Sequence, residues 1–155
     1  MEKYCSNNNI DLTINDPVLD HDVKISSSRI RDFIENGDVN KANNLLGSKF
    51  CFNCKVVRGS GRGSKLGFPT ANIFPVENNQ LLPKSGVYFV KAMINGQFTF
   101  GMCNLGIRPT FNEKDFIIEV HFFNNDIQNL YGDLLKIEFL ERIREEIKLQ
   151  KENLI

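Results

Sequence analysis

Residues 58–72 read RGSGRGSKLGFPTAN, and the rest of the chain is arranged around this stretch. Its glycines let backbone N–H groups approach a ligand and form an anion-binding concavity, while its arginines and lysine favour phosphate. Thr70 and Asn72 lie two positions apart, which in an extended segment places both side chains on one face. Because such neutral oxygens suit Mg²⁺ beside substrate phosphates, the stretch predicts a phosphate-binding loop next to a magnesium site.

Two common phosphate-binding motifs do not fit this stretch. A P-loop requires Gly-Lys followed by serine or threonine, whereas Lys65 is preceded by Ser64 and followed by Leu66. The dinucleotide fingerprint G-x-G-x-x-G requires a third glycine where Ser64 stands, and Pro69 disfavours a helix before it. A flexible glycine-rich connection between strands is the remaining alternative, and composition alone does not exclude it.

Composition indicates a soluble globular protein. The chain has 155 residues, 41% hydrophobic and 25% charged, which is enough for one domain with a small appendage. Its 19 acidic and 19 basic residues cancel, so no overall basic field favours nucleic acid. No apolar run approaches the ~20 residues of a membrane span, and the polar start lacks a signal-peptide pattern. We therefore expect a cytoplasmic protein that binds neither nucleic acid nor membrane.

Four cysteines are present, and Cys51 and Cys54 form a C-x-x-C. A zinc site would require a second pair or histidines at ligand spacing, whereas His21 and His121 are far away in sequence. The two cysteines are therefore interpreted as strand residues, and metal or redox chemistry is not expected there. The lack of a disulfide framework fits a reducing cytoplasm.

The pattern is helical before the glycine-rich stretch and extended after it. Residues 25–47 predict two short helices, interrupted at Gly37 and ended by Gly47. Strand patterns separated by turn signals occupy residues 50–57, 86–93, 98–102, 116–123 and 134–139. Short strands without intervening helices favour an antiparallel barrel or sandwich. Residues 141–155 are charged, with a partial apolar stripe that predicts a C-terminal helix.

Parity within residues 116–123 separates two faces of a strand. The face predicted to be core carries Phe116, Ile118, Val120 and Phe122. Glu119 lies on the other face, as a carboxylate in an otherwise apolar strand. A solvated edge residue and a general base both fit this position, because partial desolvation makes a carboxylate a better proton acceptor. The pattern leaves both interpretations open.

The combination of motifs resembles the riboflavin kinase family. Its signature is similar to GRG at 61–63 and GFPTAN at 67–72. The resemblance continues in order through LP at 82–83, GVY at 86–88, NLGIRPTF at 104–111, EVH at 119–121, LYG at 130–132 and REE at 144–146. It implies a mainly β fold, a small antiparallel barrel of about six strands, with a short N-terminal helical hairpin and a C-terminal helix.

Residues 25–47 resemble the end of the adenylyltransferase domain in the bacterial bifunctional riboflavin kinase/FAD synthetase. The resemblance assigns its phosphate-holding element to Ser26, Ser27, Arg29 and Arg31. Because the nucleotide-binding sheet and histidine motif of that domain are absent, adenylyl transfer by this chain alone is not expected, and both arginines are interpreted as solvated. The implied organisation is a residual adenylyltransferase tail, 1–47, and a riboflavin kinase domain, 48–155, that lacks a last helical segment.

The resemblance implies transfer of the γ-phosphate of ATP to the 5′-hydroxyl of riboflavin, which gives FMN, with Mg²⁺ as cofactor. Glu119 would be the catalytic base, and Thr70 and Asn72 would bind both ATP and Mg²⁺. The other implied ATP-binding residues are Gly59, Gly61, Arg62, Gly63 and Lys65. The implied flavin-binding residues are Asn104, Arg108, Thr110 and Arg144, with residues 104–110 as a flap.

Two other interpretations remain. The chain could bind flavin or nucleotide without catalysis, as a fragment of the bifunctional enzyme. A nucleic-acid-binding small barrel also combines strands, aromatic residues and a cationic loop. The zero net charge and the set of Thr70, Asn72 and Glu119 argue against this second alternative. ATP and riboflavin are therefore the expected partners, although Arg144 also fits an exposed cation on the predicted C-terminal helix.

Overall fold

The computed structural model describes residues 1–58, 70–109, 114–124 and 130–146, and it describes only the backbone of residues 107–109 and 114–115. The N-terminal elements are α1 (Glu2–Asn7), β1 (Leu19–Asp20), β2 (Val23–Lys24), α2 (Ser27–Glu35) and α3 (Val39–Leu46). They are followed by β3 (Cys51–Val57), β4 (Ala71–Pro75), β5 (Gly86–Ile94), β6 (Gln97–Pro109), β7 (Lys114–Phe122) and β8 (Leu134–Arg144). The predicted mainly β architecture is confirmed.

Strands β3 to β8 form a closed antiparallel barrel in the order β3-β4-β7-β6-β5-β8. Alternate residues of each strand point inwards, because successive side chains of a strand face opposite sides. In β7 the buried residues are Ile118, Val120 and Phe122, as parity predicts. Closure gives each barrel strand two neighbours, and the interior forms one hydrophobic core.

Phe116 is the exception to the predicted core of β7, since it is 46% exposed. The ladder between β4 and β7 runs only from Ile118 to Val120, so Phe116 lies beyond it. On the other side Phe116 pairs with Ile107 of β6. Parity predicted the direction of the side chain, but the extent of the neighbouring ladder determines whether the side chain is covered.

The two predicted helices are confirmed and form a hairpin. The side chain of Ser26 accepts the N–H of Arg29 at the start of α2, and Asp38 does the same for Lys41 at the start of α3. Gly47 ends α3 in the left-handed conformation. The apolar side chains of the hairpin belong to the same core cluster as those of the barrel. The hairpin is therefore packed on the barrel and shares its core.

Asn43 joins this hairpin to two barrel strands. Its Nδ2 donates to the carbonyl oxygen of Phe139 at 3.0 Å, and its Oδ1 accepts the backbone N–H of Phe50 at 2.6 Å. The residue is buried, so both bonds are shielded from water. Because a buried polar group without a partner is costly, this pairing fixes where α3 lies against β3 and β8.

The predicted C-terminal helix is wrong at its beginning. Residues 141–144 continue β8, and Arg142 and Arg144 face Tyr88 and Val87 of β5. Backbone groups of β5 require partners, and this pairing satisfies them where a helix could not. Ile143, expected on the apolar stripe of the helix, is 52% exposed. The rest of the prediction, residues 147–155, lies outside the described residues.

Arg29 was also expected to be solvated, and the structure pairs it instead. Its Nη2 lies 2.8 Å from Oδ2 of Asp20, and its guanidinium lies over the ring of Phe33 at 5.8 Å. Asp20 belongs to the β1–β2 hairpin, which sequence patterning did not predict. Arg29 therefore holds that hairpin against α2. Arg31 is exposed, as expected.

Candidate active site

Three candidate site residues form one row across the barrel. Asn72 of β4 and Asn104 of β6 are both register partners of Glu119 in β7. Side chains directly opposite each other in neighbouring strands lie about 5 Å apart. All three are half-buried, and their neighbours along each strand point into the core, so the three side chains face outwards. We call Asn72, Glu119 and Asn104 the polar row.

The same register continues beyond the polar row on both sides. Asn72 pairs with Val57, the last residue of β3. On the other side Asn104 pairs with Val87 of β5, and Val87 pairs with Arg144 at the end of β8. The polar row therefore connects the strand that enters the glycine-rich stretch with the C-terminal arginine.

The ATP-binding prediction is only partly within the described residues. Gly59, Gly61, Arg62, Gly63 and Lys65 lie outside them. Arg58, just before this segment, is placed with its guanidinium 4.9 Å from the ring centre of Tyr131, and Thr70, just after it, is half-buried. Because Val57 and Asn72 are register partners, both ends of the glycine-rich stretch converge at the polar row.

The flavin-binding prediction divides in the same way. Asn104 lies in the polar row and Arg144 is exposed at the end of its register. The backbone of Arg108 pairs with Asp115, its side chain is not described, and Thr110 lies outside the described residues. Of the flap predicted over residues 104–110, residues 104–109 belong to strand β6, and Thr110 lies outside the described residues.

Glu146 is a further residue near the polar row that sequence reasoning did not assign. A Cβ built on Gly106 would lie only 2.6 Å from Oε1 of Glu146, so the carboxylate rests against the backbone of β6. Gly106 is two positions from Asn104 and has the same parity. The glycine in the NLGIRPT motif was a signal for a close approach, but its partner could not be identified from sequence.

The outer face next to the polar row is apolar. Phe89, Met102 and His121 are register partners in the adjacent row. The ring of Phe89 is stacked on Phe100 at 5.4 Å and on Phe123 at 6.3 Å between centroids. The spacing of the aromatic residues was visible in the sequence, but which strands lie side by side was not. The polar row therefore borders a surface suited to planar apolar ligands.

The C-x-x-C is confirmed as part of a strand, β3. Residues three apart in a strand point to opposite faces, and accordingly Cys54 is fully buried while Cys51 is half-buried. Burial raises the pKa of the Cys54 thiol to about 12, and a backbone hydrogen bond at Leu135 only partly offsets this rise. Within the described ranges no three His, Cys, Asp or Glu side chains are grouped to hold a metal. The predicted Mg²⁺ ligands, Thr70 and Asn72, are neutral oxygen donors, which suit this hard cation beside substrate phosphates.

The site consists of polar groups aligned on the outer face of a small closed barrel, between a glycine-rich stretch and an arginine. Such an arrangement suits phosphate transfer onto a small molecule. Comparison with protein families identifies the class of protein more closely. The family model described as Flavokinase: Riboflavin kinase matches residues 46–155. The chain belongs to the riboflavin kinase family.

Similar proteins agree with this assignment. The bifunctional riboflavin kinase/FMN adenylyltransferase of Bacillus subtilis is 45% identical over 139 residues, which cover 88% of this chain and 43% of that protein. The protein of the same name from Haemophilus influenzae is 41% identical, over 81% of this chain and 40% of its own length. The chain therefore spans less than half the length of these curated relatives.

A solved structure has the same fold. A chain described as a macrolide-efflux protein from Streptococcus pneumoniae has a TM-score of 0.88 and 34% sequence identity, over 99% of this chain and 50% of its own. The efflux named in that description refers to that protein, and the comparison shows only that the two chains are similar in sequence and fold. Among the described residues, no helix has the length and apolarity needed to cross a bilayer.

Proposed function

We propose that this chain transfers the γ-phosphoryl group of ATP to the 5′-hydroxyl of riboflavin and so produces FMN. The observation that carries the proposal is the register of the polar row, in which Glu119 lies between Asn72 and Asn104. Asn72 is the last residue of the glycine-rich stretch, which supports an ATP site on that side. Asn104 adjoins the apolar surface and the register leading to Arg144, which supports a flavin site on the other side.

The chemistry requires little more than positioning and charge neutralisation, because phosphoryl transfer passes through a loose transition state. Glu119 would accept the proton of the 5′-hydroxyl while that oxygen bonds to the γ-phosphorus. The bond from the γ-phosphorus to the bridging oxygen breaks, and ADP leaves. Thr70 and Asn72 would hold Mg²⁺, which supplies neutralisation of phosphate charge when bound. The cations of the glycine-rich stretch would hold the phosphates.

The neighbouring apolar surface supports a flavin as the acceptor. An isoalloxazine is planar and largely apolar, and rings at the spacing of Phe89, Phe100 and Phe123 favour stacked aromatic contacts. Asn104 and Arg144 add polar groups at the border of this surface, and Arg108 and Thr110 belong to the same proposed flavin site. A site that combines apolar area with a few polar groups is typical of cofactor binding.

The organisation of the chain is proposed as a residual adenylyltransferase tail, 1–47, followed by the kinase domain, 48–155. The start of the family match at residue 46 supports this boundary. The tail nevertheless shares its core with the barrel through Ile34, Val39 and Ala42. The proposed boundary therefore separates two family regions of the sequence and does not separate two packed units. The free cysteines support a reducing, cytoplasmic location.

The test is to incubate the purified chain with riboflavin, ATP and Mg²⁺ and to separate the flavins by chromatography. We expect FMN and ADP in equal amounts, and no FAD. Riboflavin binding without FMN would identify the chain as a non-catalytic flavin-binding fragment. Omission of Mg²⁺ is the control, and FMN formed equally well without a divalent cation would contradict the proposed role of Thr70 and Asn72.

A further inference from the structure

We propose that Arg142 is a positioning residue for the flavin side of the site, through which the α2–α3 hairpin controls the placement of Arg144. This inference rests on the proposed function. Arg142 lies in β8, two positions before Arg144, and its side chain lies against Gly37, Ser85 and Gly86. It therefore acts through the arrangement of the strand and not on the substrate itself.

Arg142 is held by the segment that enters β5. Its Nη2 donates to the carbonyl oxygen of Ser85 at 2.8 Å, and only 21% of its side chain is exposed. Its Nε is buried and has no hydrogen-bond partner among the described residues. Such an atom is costly to bury, so packing, the bond to Ser85 and an ion pair with Glu145 at 3.9 Å hold the guanidinium in place.

Two glycines provide that packing. A Cβ built on Gly37, in the turn between α2 and α3, would lie 2.8 Å from Cδ and 2.9 Å from Nε of Arg142. A Cβ on Gly86, at the start of β5, would lie 3.0 Å from Nε and 3.1 Å from Nη2. The side chain therefore occupies a slot between the helical hairpin and β5 that exists only because both residues lack a side chain.

Tyr88 completes this slot. Its hydroxyl donates to the carbonyl oxygen of Lys84 and would lie 3.0 Å from a Cβ on Gly37. Burial raises the pKa of this hydroxyl, and the charge of Arg142 beside it opposes that rise. Arg142 and Tyr88 thus fix two consecutive carbonyl groups, those of Lys84 and Ser85, immediately before β5.

The slot adjoins a β-bulge that determines which residue of β8 joins the register of the polar row. Tyr88 pairs with Arg142, so a regular antiparallel ladder would pair Val87 with Ile143. The register shifts at this point, and Val87 pairs with Arg144 instead. A bulge redirects the side chains that follow it. Here it brings Arg144, and not Ile143, opposite Val87, which is itself the partner of Asn104.

The slot should therefore affect the flavin side of the site and not the ATP side. Displacing Arg142 from its slot would release the bulge and misplace Arg144 at the flavin side. The register of Val57, Asn72 and Glu119 involves other strands and would stay intact. We expect changes in the slot to alter riboflavin affinity while ATP affinity is unaffected.

The experiment compares Gly37→Ala with Gly47→Ala in the full chain. Both glycines have positive φ, 82° and 66°, so alanine introduces backbone strain at each. A Cβ on Gly47 meets nothing within 4 Å, whereas one on Gly37 displaces Arg142. Riboflavin binding is measured by fluorescence quenching and ATP binding by competition with a fluorescent ATP analogue. We expect about tenfold weaker riboflavin binding for Gly37→Ala alone, with ATP binding unchanged in both variants.

A double-mutant cycle tests whether the effect passes through Arg144. In an Arg144→Ala background, Gly37→Ala should weaken riboflavin binding by less than about twofold. Equal effects in both backgrounds, equal losses for the two glycine variants, or a parallel loss of ATP binding would overturn the inference. If Gly37→Ala does not fold, the same cycle uses Arg142→Met, which keeps the apolar stem and removes the bond to Ser85 and the ion pair with Glu145. Absence of riboflavin binding by the unmodified chain would instead refute the proposed function.

Discussion

Glu119 and Val120 are neighbours in β7 but belong to different regions of the molecule. Val120 is fully buried in the barrel core between β4 and β6. Glu119 is half-buried on the outer face, in line with Asn72 and Asn104. Strand parity therefore separates the residues that stabilise the barrel from those that carry its proposed chemistry. A change at one position should affect stability, and a change at the next should affect catalysis.

The largest effect is expected for Glu119→Gln. The amide keeps the size of the side chain but cannot accept the hydroxyl proton, so kcat should fall by about 10²- to 10⁴-fold. The melting temperature should stay close to that of the unmodified chain, because the position lies outside the core. FMN formation and thermal unfolding are measured on the same preparations.

Glu77→Gln is a suitable control, since this glutamate is exposed after β4 and lies outside the polar row and the apolar surface. It should retain the activity of the unmodified chain. Full activity of Glu119→Gln would refute the proposed base. Equal losses of activity in both variants would show that the polar row has no special role.

Val120→Ala should have a smaller effect, and it should lower stability without affecting catalysis. Removing two buried methyl groups from the core should lower the free energy of unfolding by about 2 kcal/mol. The KM for ATP and for riboflavin should be unchanged below the unfolding transition. Chemical denaturation and steady-state kinetics check this, and a changed KM with unchanged stability would contradict the separation of the two faces.

The comparison also explains what could be predicted from the sequence. Alternation within β7 identified Ile118, Val120 and Phe122 as core, because parity is a local property of the strand. Motif order identified Asn72, Asn104 and Glu119 as candidates. It could not place them in one row, because register depends on bulges and on strands distant in sequence. Glu146 was missed for the same reason, since its contact with Gly106 joins residues forty positions apart in the chain.

The wrong part of the prediction has a similar cause. Residues 141–155 carry an apolar stripe compatible with a helix, but residues 141–144 pair with β5. The contact of Arg142 with Gly37 joins segments that lie about a hundred residues apart. Local pattern contains no information about such a contact, and tertiary pairing overrides propensity at the end of the strand.

The smallest effect concerns β3, where Cys51 and Cys54 repeat the separation of faces seen in β7. Burial raises the pKa of Cys54 from 9.0 to about 12, so the unfolded chain loses this proton first as the pH rises. The stabilising contribution is complete below pH 9.0 and is lost as the pH rises to about 12. Across this window the thiol should lower the free energy of unfolding by about 1.4 kcal/mol per pH unit.

Denaturation between pH 9 and pH 11 tests this by comparing slopes rather than absolute stabilities. Cys54→Ala should show a shallower decline than the unmodified chain, because no buried thiol remains at that position. Cys103, the other fully buried thiol of the barrel, still contributes, since burial raises its pKa as well. Cys51→Ala is the matched control, because its side chain lies on the opposite face of β3. Parallel slopes for all three proteins would show that burial of Cys54 does not control alkaline stability, whereas a change confined to Cys54→Ala would extend the separation of faces to a second strand.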